Sequence, residues 1–392
     1  MVSELTLEQI SLAELYKNVQ KIECVKDPIF HFKELNLVGD LIHKKFDELG
    51  LKVSEHKFSL EGFDGAFRNI EANLSHGKGP TIVISSHYDT VPTTPGANDN
   101  ASAIALQLEL AKQLVHYNSN LNVKFVCFTL EELNPVIWKT INTVGKTLDL
   151  YDNQNRIKTW HYKNIRSKFN LLSTQFLANG LDHPNAFRKS YEQLHSKMTE
   201  NERKLYQTIL ELYPIQENYE MVGHIGLIGS TKWIQHVQES KLEIKYAINF
   251  DEIAMTSQHK YSHQFPEGIP IKQLPHYSVN IDERVGNFIS MFVDKNSEQM
   301  LGPYLEQAES NSLPYIAFPT QMDYNQMRIH MAEALHADHA PFWRANIPCM
   351  MVTDWGEYRS PYAHTMADTA DRLDYSFLRQ IIFTTYKSIH NL

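Results

Sequence analysis

Five side chains of the kinds that bind metal ions stand at or just beyond apolar, strand-like runs, and their placement constrains the fold more than any other feature. They are His87, Asp99, Glu132, Asp251 and His364. His87 follows the run 81–86, Glu132 comes just after 122–130, and Asp251 comes directly after 242–250, while Asp99 and His364 sit in turns. Open α/β sheets bind ligands in the crevice beyond the carboxyl ends of their strands. Ligands scattered from residue 87 to residue 364 can share a site if those strands lie in one sheet. Two imidazoles and three carboxylates, with Glu131 to spare, are the complement that a pair of hydrolytic metal ions needs.

Each piece has its own chemical reason and its own plainer reading. Residues two apart in an extended chain face the same side, so Asp89 can approach the ring of His87 and fix its tautomer, as carboxylates behind metal-bound imidazoles do. Taken alone, His87-Tyr88-Asp89 is equally a polar strand end. The turn Pro95-Gly96-Ala97-Asn98-Asp99-Asn100 leads into Ala105, Leu106, Leu108, Leu110, Ala111 and Leu114 at helical spacing. Asp99 therefore reads both as a helix N-cap and as a carboxylate placed to bridge two cations. Glu131-Glu132 is the sharpest piece, because adjacent carboxylates at a strand terminus are costly unless something cationic holds them. One of the pair can bind metal while the other accepts a proton. Asp251 and Glu252 compete for the next position, and strand alternation together with the family resemblance given below favours Asp251. His364 supplies the missing neutral ligand, and Asp368 or Thr369 is expected to cap the last helix.

The periodicity predicts helices at about 7–22 and 36–49, strands at 52–60, 66–74 and 81–87, then a helix after Asp99. Strands ending at Leu130 and Phe250 follow, with further strands at 286–293, 314–318 and 347–352. A helix is expected at 297–309 and a closing helix from 375. Alternating strands and helices imply a sheet covered on both faces. The expected architecture is a three-layer α/β/α sandwich with a mixed, mostly parallel central sheet. Gly223–Ser230 lacks the lysine of a phosphate-binding loop and reads as a turn into a helix. His336, Asp338 and His339 read as residues near the pocket or at a helix start rather than as a third metal site.

With those residues in view, the chain resembles metallopeptidase family twenty-eight, the co-catalytic zinc aminopeptidases that include bacterial leucyl aminopeptidase and aminopeptidase Y. The resemblance covers about residues 35–133 and 223–392, in the order His-x-Asp, Gly-Ala-x-Asp-Asn, Glu-Glu, Asp, His. Gly229-Ser230 and Ala337–Phe342 also look like segments of that family. The resemblance implies that Asp99 bridges two zinc ions, that His87 and Asp251 complete one site, and that Glu132 and His364 complete the other. It also implies Glu131 as general base and Asp89 as the orienter of His87. The activity implied is removal of an N-terminal residue from a peptide with a free amino terminus. Oxygen and imidazole ligands also accept cobalt or manganese.

Composition adds limits. A net charge of −9 and a pI near 6.1 argue against nucleic acid or an anionic membrane surface as partner, and an acidic pocket suits a free ammonium. Cys24, Cys127 and Cys349 form no disulfide framework. Met1–Leu5 does not read as a signal peptide, and no run is apolar enough to cross a bilayer, so the cytoplasm is the expected compartment.

The main departure from the family is residues 134–222, which make one insertion in a catalytic domain of 1–133 and 223–392. Leu133-Asn134 stands where the family has a glycine. The insertion reads as a helical subdomain that starts at the active site, either a lid or the surface of a homo-oligomer. Three other functions compete with the aminopeptidase. A glutaminyl cyclase would share the fold and use one zinc. A carboxypeptidase or other amidohydrolase would need Arg284, Arg344 or Arg359 to hold a carboxylate. A non-catalytic binding protein would ordinarily have lost ligands, yet all five and Glu131 are present.

Overall fold

The computed structural model describes residues 5–75, 79–153, 156–178, 181, 183–217, 226–265, 272 and 274–391. Residues 1–4 of the N-terminal stretch and residues 218–225, where the end of the expected insertion and the start of the expected Gly223–Ser230 turn fall, lie outside that set. The strands are β1 (Lys52–Ser59), β2 (Ala66–Leu74), β3 (Thr81–His87), β4 (Val123–Phe128), β5 (Ile244–Phe250), β6 (His276–Tyr277), β7 (Ile289–Val293), β8 (Tyr315–Pro319) and β9 (Cys349–Thr353). They form one nine-stranded sheet in the order β1-β2-β4-β3-β5-β9-β7-β8-β6. The centre, β4-β3-β5-β9, is parallel, and antiparallel pairs flank it on either side. The sheet is mixed, with its parallel part where the metal-type residues emerge.

The helices are α1 (Leu12–Ile22), α2 (Phe32–Glu48), α3 (Ser102–His116), α4 (Pro135–Thr147), α5 (Trp160–Ala178) and α6 (His183–Leu194). They continue with α7 (Glu200–Glu217), α8 (Ile228–Ser240), α9 (Leu301–Ser310), α10 (Tyr324–His330), α11 (Ala340–Arg344) and α12 (Tyr375–Ile389). Successive strand side chains point to opposite faces, and the cores follow that alternation. Ile82, Ile84, Phe125, Cys127, Tyr246 and Ile248 pack in one core with residues of α1, α2, α3, α9 and α12. Val83, Val126, Phe128 and Ala247 pack in the other with Trp233, Met327 and Trp343 of α8, α10 and α11. That is a sheet between two helical layers.

Residues 134–217 contribute a third apolar cluster around Tyr151, Tyr162, Phe169 and Tyr206. Asn134 caps α4, its side chain accepting from the backbone N–H of Val136 and Ile137. The chain returns to the sheet at Leu227 and Ile228, whose N–H groups donate to the carbonyls of Glu131 (2.8 Å) and Leu130 (2.9 Å). Only glycine fits beside them: a Cβ on Gly226 would lie 1.5 Å from the Glu131 carbonyl oxygen.

The last helix is capped differently from the expectation. Asp374, not Asp368 or Thr369, caps α12 by accepting from the N–H groups of Ser376 and Phe377. Asp368 is buried and turned toward the Asp99 loop instead. Among the described residues, no helix is long and apolar enough to cross a membrane.

Candidate metal centre

The parallel register brings the expected residues together. His87 ends β3 beside Phe128 of β4, so Glu131 and Glu132, a few residues further, overhang it. Phe250 pairs with Val352, which puts Asp251 at the same edge. The His87 Nε2 atom lies 3.1 Å from Asp99 Oδ1, 3.3 Å from Asp251 Oδ1 and 4.0 Å from Glu131 Oε2. His364, held with φ at 54°, places its Nε2 atom 3.0 Å from Asp99 Oδ2 and 3.5 Å from Glu132 Oε2. Asp99 thus gives one oxygen to each histidine.

These separations suit metal coordination. Zinc bonds of about 2.0–2.1 Å in a tetrahedron put neighbouring donors about 3.3 Å apart. The donors around His87 and around His364 lie at 3.0 to 3.5 Å from their histidine. Glu132 Oε1 is buried with no hydrogen-bond partner, a costly state for a carboxylate oxygen that a cation would relieve. Among the described residues the metal-capable groups are His87-Glu131-Asp251 and His87-Asp99-Glu132. His336, Asp338 and His339 form no such group there. His339 turns its Nε2 atom to the Ala334 carbonyl, 2.8 Å away.

The electrostatics match. Burial pushes Glu131 well above the usual carboxylate range, and Glu132 and Asp251 repel its charge further, against the pull of His87. Burial and then Asp99 push Glu132 up in the same way. Burial also opposes ionisation of Asp99, but hydrogen bonds from His364 and His87 outweigh it and hold this carboxyl far below its ordinary value. The charge of Glu132, then Asp99, raises His364 to about 10.

Around the donors lies a shell that the sequence only partly announced. Asp89 sits with an oxygen 3.6 Å from His87 Nδ1, but its carboxylate oxygens accept from the backbone N–H groups of Glu131 (3.1 Å) and Glu132 (3.2 Å). It therefore clasps the Glu131-Glu132 turn as well as facing the imidazole. Asp368 accepts from the N–H groups of Asn98 (2.9 Å) and Asp99 (3.2 Å). The Asn98 side chain donates to Asp354 and accepts from Ala254, and the Asn100 side chain donates to the Phe250 carbonyl. These bonds tie the Asp99 turn to the segment that carries Asp251. Asn98 and Asn100 flank Asp99 in sequence, a signal that could have been read; Asp354 carried none.

Residues 69–389 match the family model described as Peptidase family M28. The chain belongs to peptidase family M28. Escherichia coli YfbL is 22% identical over 367 residues, 91% of this chain and 80% of its own. Bacillus subtilis aminopeptidase YwaD is 46% identical over 62 residues, 16% of this chain and 13% of its own. In fold, the chain is similar to a leucine aminopeptidase precursor from Bacteroides thetaiotaomicron, with a TM-score of 0.56, 14% identity, and coverage of 99% of this chain and 100% of that one. It is equally similar to Fimbriiglobus ruber glutaminyl cyclase, with a TM-score of 0.56, 16% identity, and coverage of 99% and 98%. M28 peptidases are metal-dependent hydrolases, and the clustered donors here are of the kinds such a metal needs.

A pH dependence follows. Without metal, Glu131, Glu132 and His364 all hold protons more tightly than they do in water. Metal binding must displace those protons, so affinity rises with pH and falls as the solution is acidified. Calorimetric zinc titrations near neutral pH, in buffers of different ionisation enthalpy, are expected to show net proton release. Zero release would contradict the donor assignment.

Proposed function

We propose that the protein is a two-zinc aminopeptidase, removing the N-terminal residue of peptides with a free amino terminus. The observation that supports this most is the Asp99 carboxylate, which offers one oxygen toward His87 and the other toward His364. In this reading His87, Asp99 and Asp251 hold one zinc ion, and His364, Asp99 and Glu132 hold the other. When bound, the ions supply Lewis acidity that activates water and polarises the scissile carbonyl. Glu131 is the general base: it takes a proton from the attacking water and returns it to the leaving amine nitrogen. Burial and neighbouring carboxylates raise the proton affinity of Glu131, which suits it to accept that proton. Asp89 fixes the turn carrying Glu131 and Glu132 and faces the far nitrogen of His87.

Residues 134–222 act as a lid in this reading. Support comes from the two ends of the insertion, which leaves the turn carrying Glu131 and Glu132 and returns at Leu227 and Ile228, bonded to Glu131 and Leu130. Replacing residues 140–220 with a short linker is expected to extend cleavage to longer peptides. An unchanged length profile in a folded deletion variant would remove the lid role.

The test of the activity is mass spectrometry of a peptide panel, including one peptide beginning with Gln, with zinc-loaded protein and a chelated control. Stepwise loss of N-terminal residues that stops on chelation is expected. Ammonia loss from the Gln peptide alone would mean a cyclase instead. Glu131→Gln is expected to keep its zinc and lose about 10²–10⁴-fold in turnover, whereas Asp99→Ala is expected to lose the zinc itself. A fully active Glu131→Gln protein would take the base role away from Glu131.

A further inference from the structure

Most carboxylates crowded around the donor cluster face a donor or a histidine, while the buried Asp338 has no hydrogen-bond partner on either oxygen among the described residues. Asp89, Asp354 and Asp368 accept backbone N–H groups, while Asp99, Asp251 and Glu132 face the histidines. Glu252 differs from Asp338 in staying partly open. Its backbone is pinned: its N–H donates to Asn100 Oδ1 (3.3 Å) and its carbonyl accepts from Asp354 N–H (2.6 Å). Its carboxylate accepts no hydrogen bond from the described residues, and the influences on it are burial and the charges of Asp99, Asp354, Asp251 and Asp368.

The position is shaped for that side chain. Glu252 has φ at 50°, a left-handed conformation that turns it out of line with Asp251. Its carboxylate rests against Gly356, where any Cβ would lie 1.5 Å from Oε2. It stays partly exposed, whereas Asp354 and Asp89 are fully buried. The nearby cation is Arg359, but its charge answers first to Asp354 and then to Glu252. Its Nη1 donates to the Met255 carbonyl (3.0 Å) and its guanidinium lies 4.6 Å over the Phe288 ring. No ion pair joins it to Glu252 among the described residues. On the other side of Gly356, exposed Glu357 adds negative charge toward His364.

We propose that Glu252 is a substrate-recognition residue whose carboxylate holds a cationic nitrogen of the bound peptide. The expected source is the side chain of an N-terminal Lys or Arg; the peptide's own ammonium is the other source of the same chemistry. The inference rests on the aminopeptidase reading. A partly desolvated carboxylate with no internal donor gains a charge-assisted hydrogen bond from such a group. A neutral side chain leaves it unpaired, which is how a site discriminates against an analogue lacking the matching group.

The test measures binding apart from turnover. Lys-Ala-Ala and Leu-Ala-Ala are titrated calorimetrically into zinc-loaded Glu131→Gln protein and into the Glu131→Gln, Glu252→Gln double variant, with zinc content determined for both. The single variant is expected to bind the Lys peptide at least about tenfold more tightly than the Leu peptide, and the double variant to lose most of that preference. An equal weakening of both peptides, with zinc retained, supports the ammonium as partner. Unchanged affinities, or losses that track loss of zinc, overturn the proposal. Because binding is read in the absence of turnover, failure of the peptide panel above and failure here are separate results.

Discussion

The structure depends on how a buried carboxylate is allowed to remain charged. Desolvating an ionised carboxylate costs several kcal/mol unless a cation or well-placed donors compensate. Asp99 meets that condition twice, with an imidazole on each oxygen and its own backbone N–H anchored by Asp368. Glu131 and Glu132 do not meet it from protein groups alone, and burial pushes both toward the protonated form. A site built this way gains most from divalent cations, which is the chemistry its family uses.

The parallel centre of the sheet makes that geometry possible. β3, β4 and β5 end at one edge, so His87, Glu131 and Asp251 converge although far apart in the chain. The turns beyond those strands are then fixed by polar side chains around the donors. Asn98 and Asn100 join the Asp99 turn to the segment after β5. The N-terminal segment reinforces it: fully buried Lys26 donates its Nζ to the Pro95 carbonyl at 3.1 Å, just before Gly96. Lys26 lies before residue 69, where the family match begins.

Most of the fold and the donor cluster was legible in the sequence because apolar runs end at chelating residues. Periodicity placed the central strands within a residue or two, and the position of two adjacent carboxylates at the end of a buried strand singled out Glu131-Glu132. Capping was less legible. Asp368 and Asp374 look alike in sequence, and only the tertiary fold turns Asp368 to the Asn98 and Asp99 N–H groups while Asp374 caps α12. Asp89 illustrates a second limit: strand alternation aims it at His87, but the turn after β4 brings two unpaired N–H groups to the same carboxylate. Short elements such as β6 and α10 were missed because a few residues carry too little periodicity to register. Glu252 read only as a rival to Asp251, since no local pattern announces an acid whose partner lies outside the chain.

The central claim is that Asp99 joins two metal sites. The most direct measurement is a zinc-edge anomalous difference map from crystals of the zinc-loaded protein. The account predicts two peaks about 3.5–4 Å apart, one among His87, Asp99 and Asp251 and one among His364, Asp99 and Glu132. A single peak at full zinc loading, or two peaks without Asp99 between them, would contradict it.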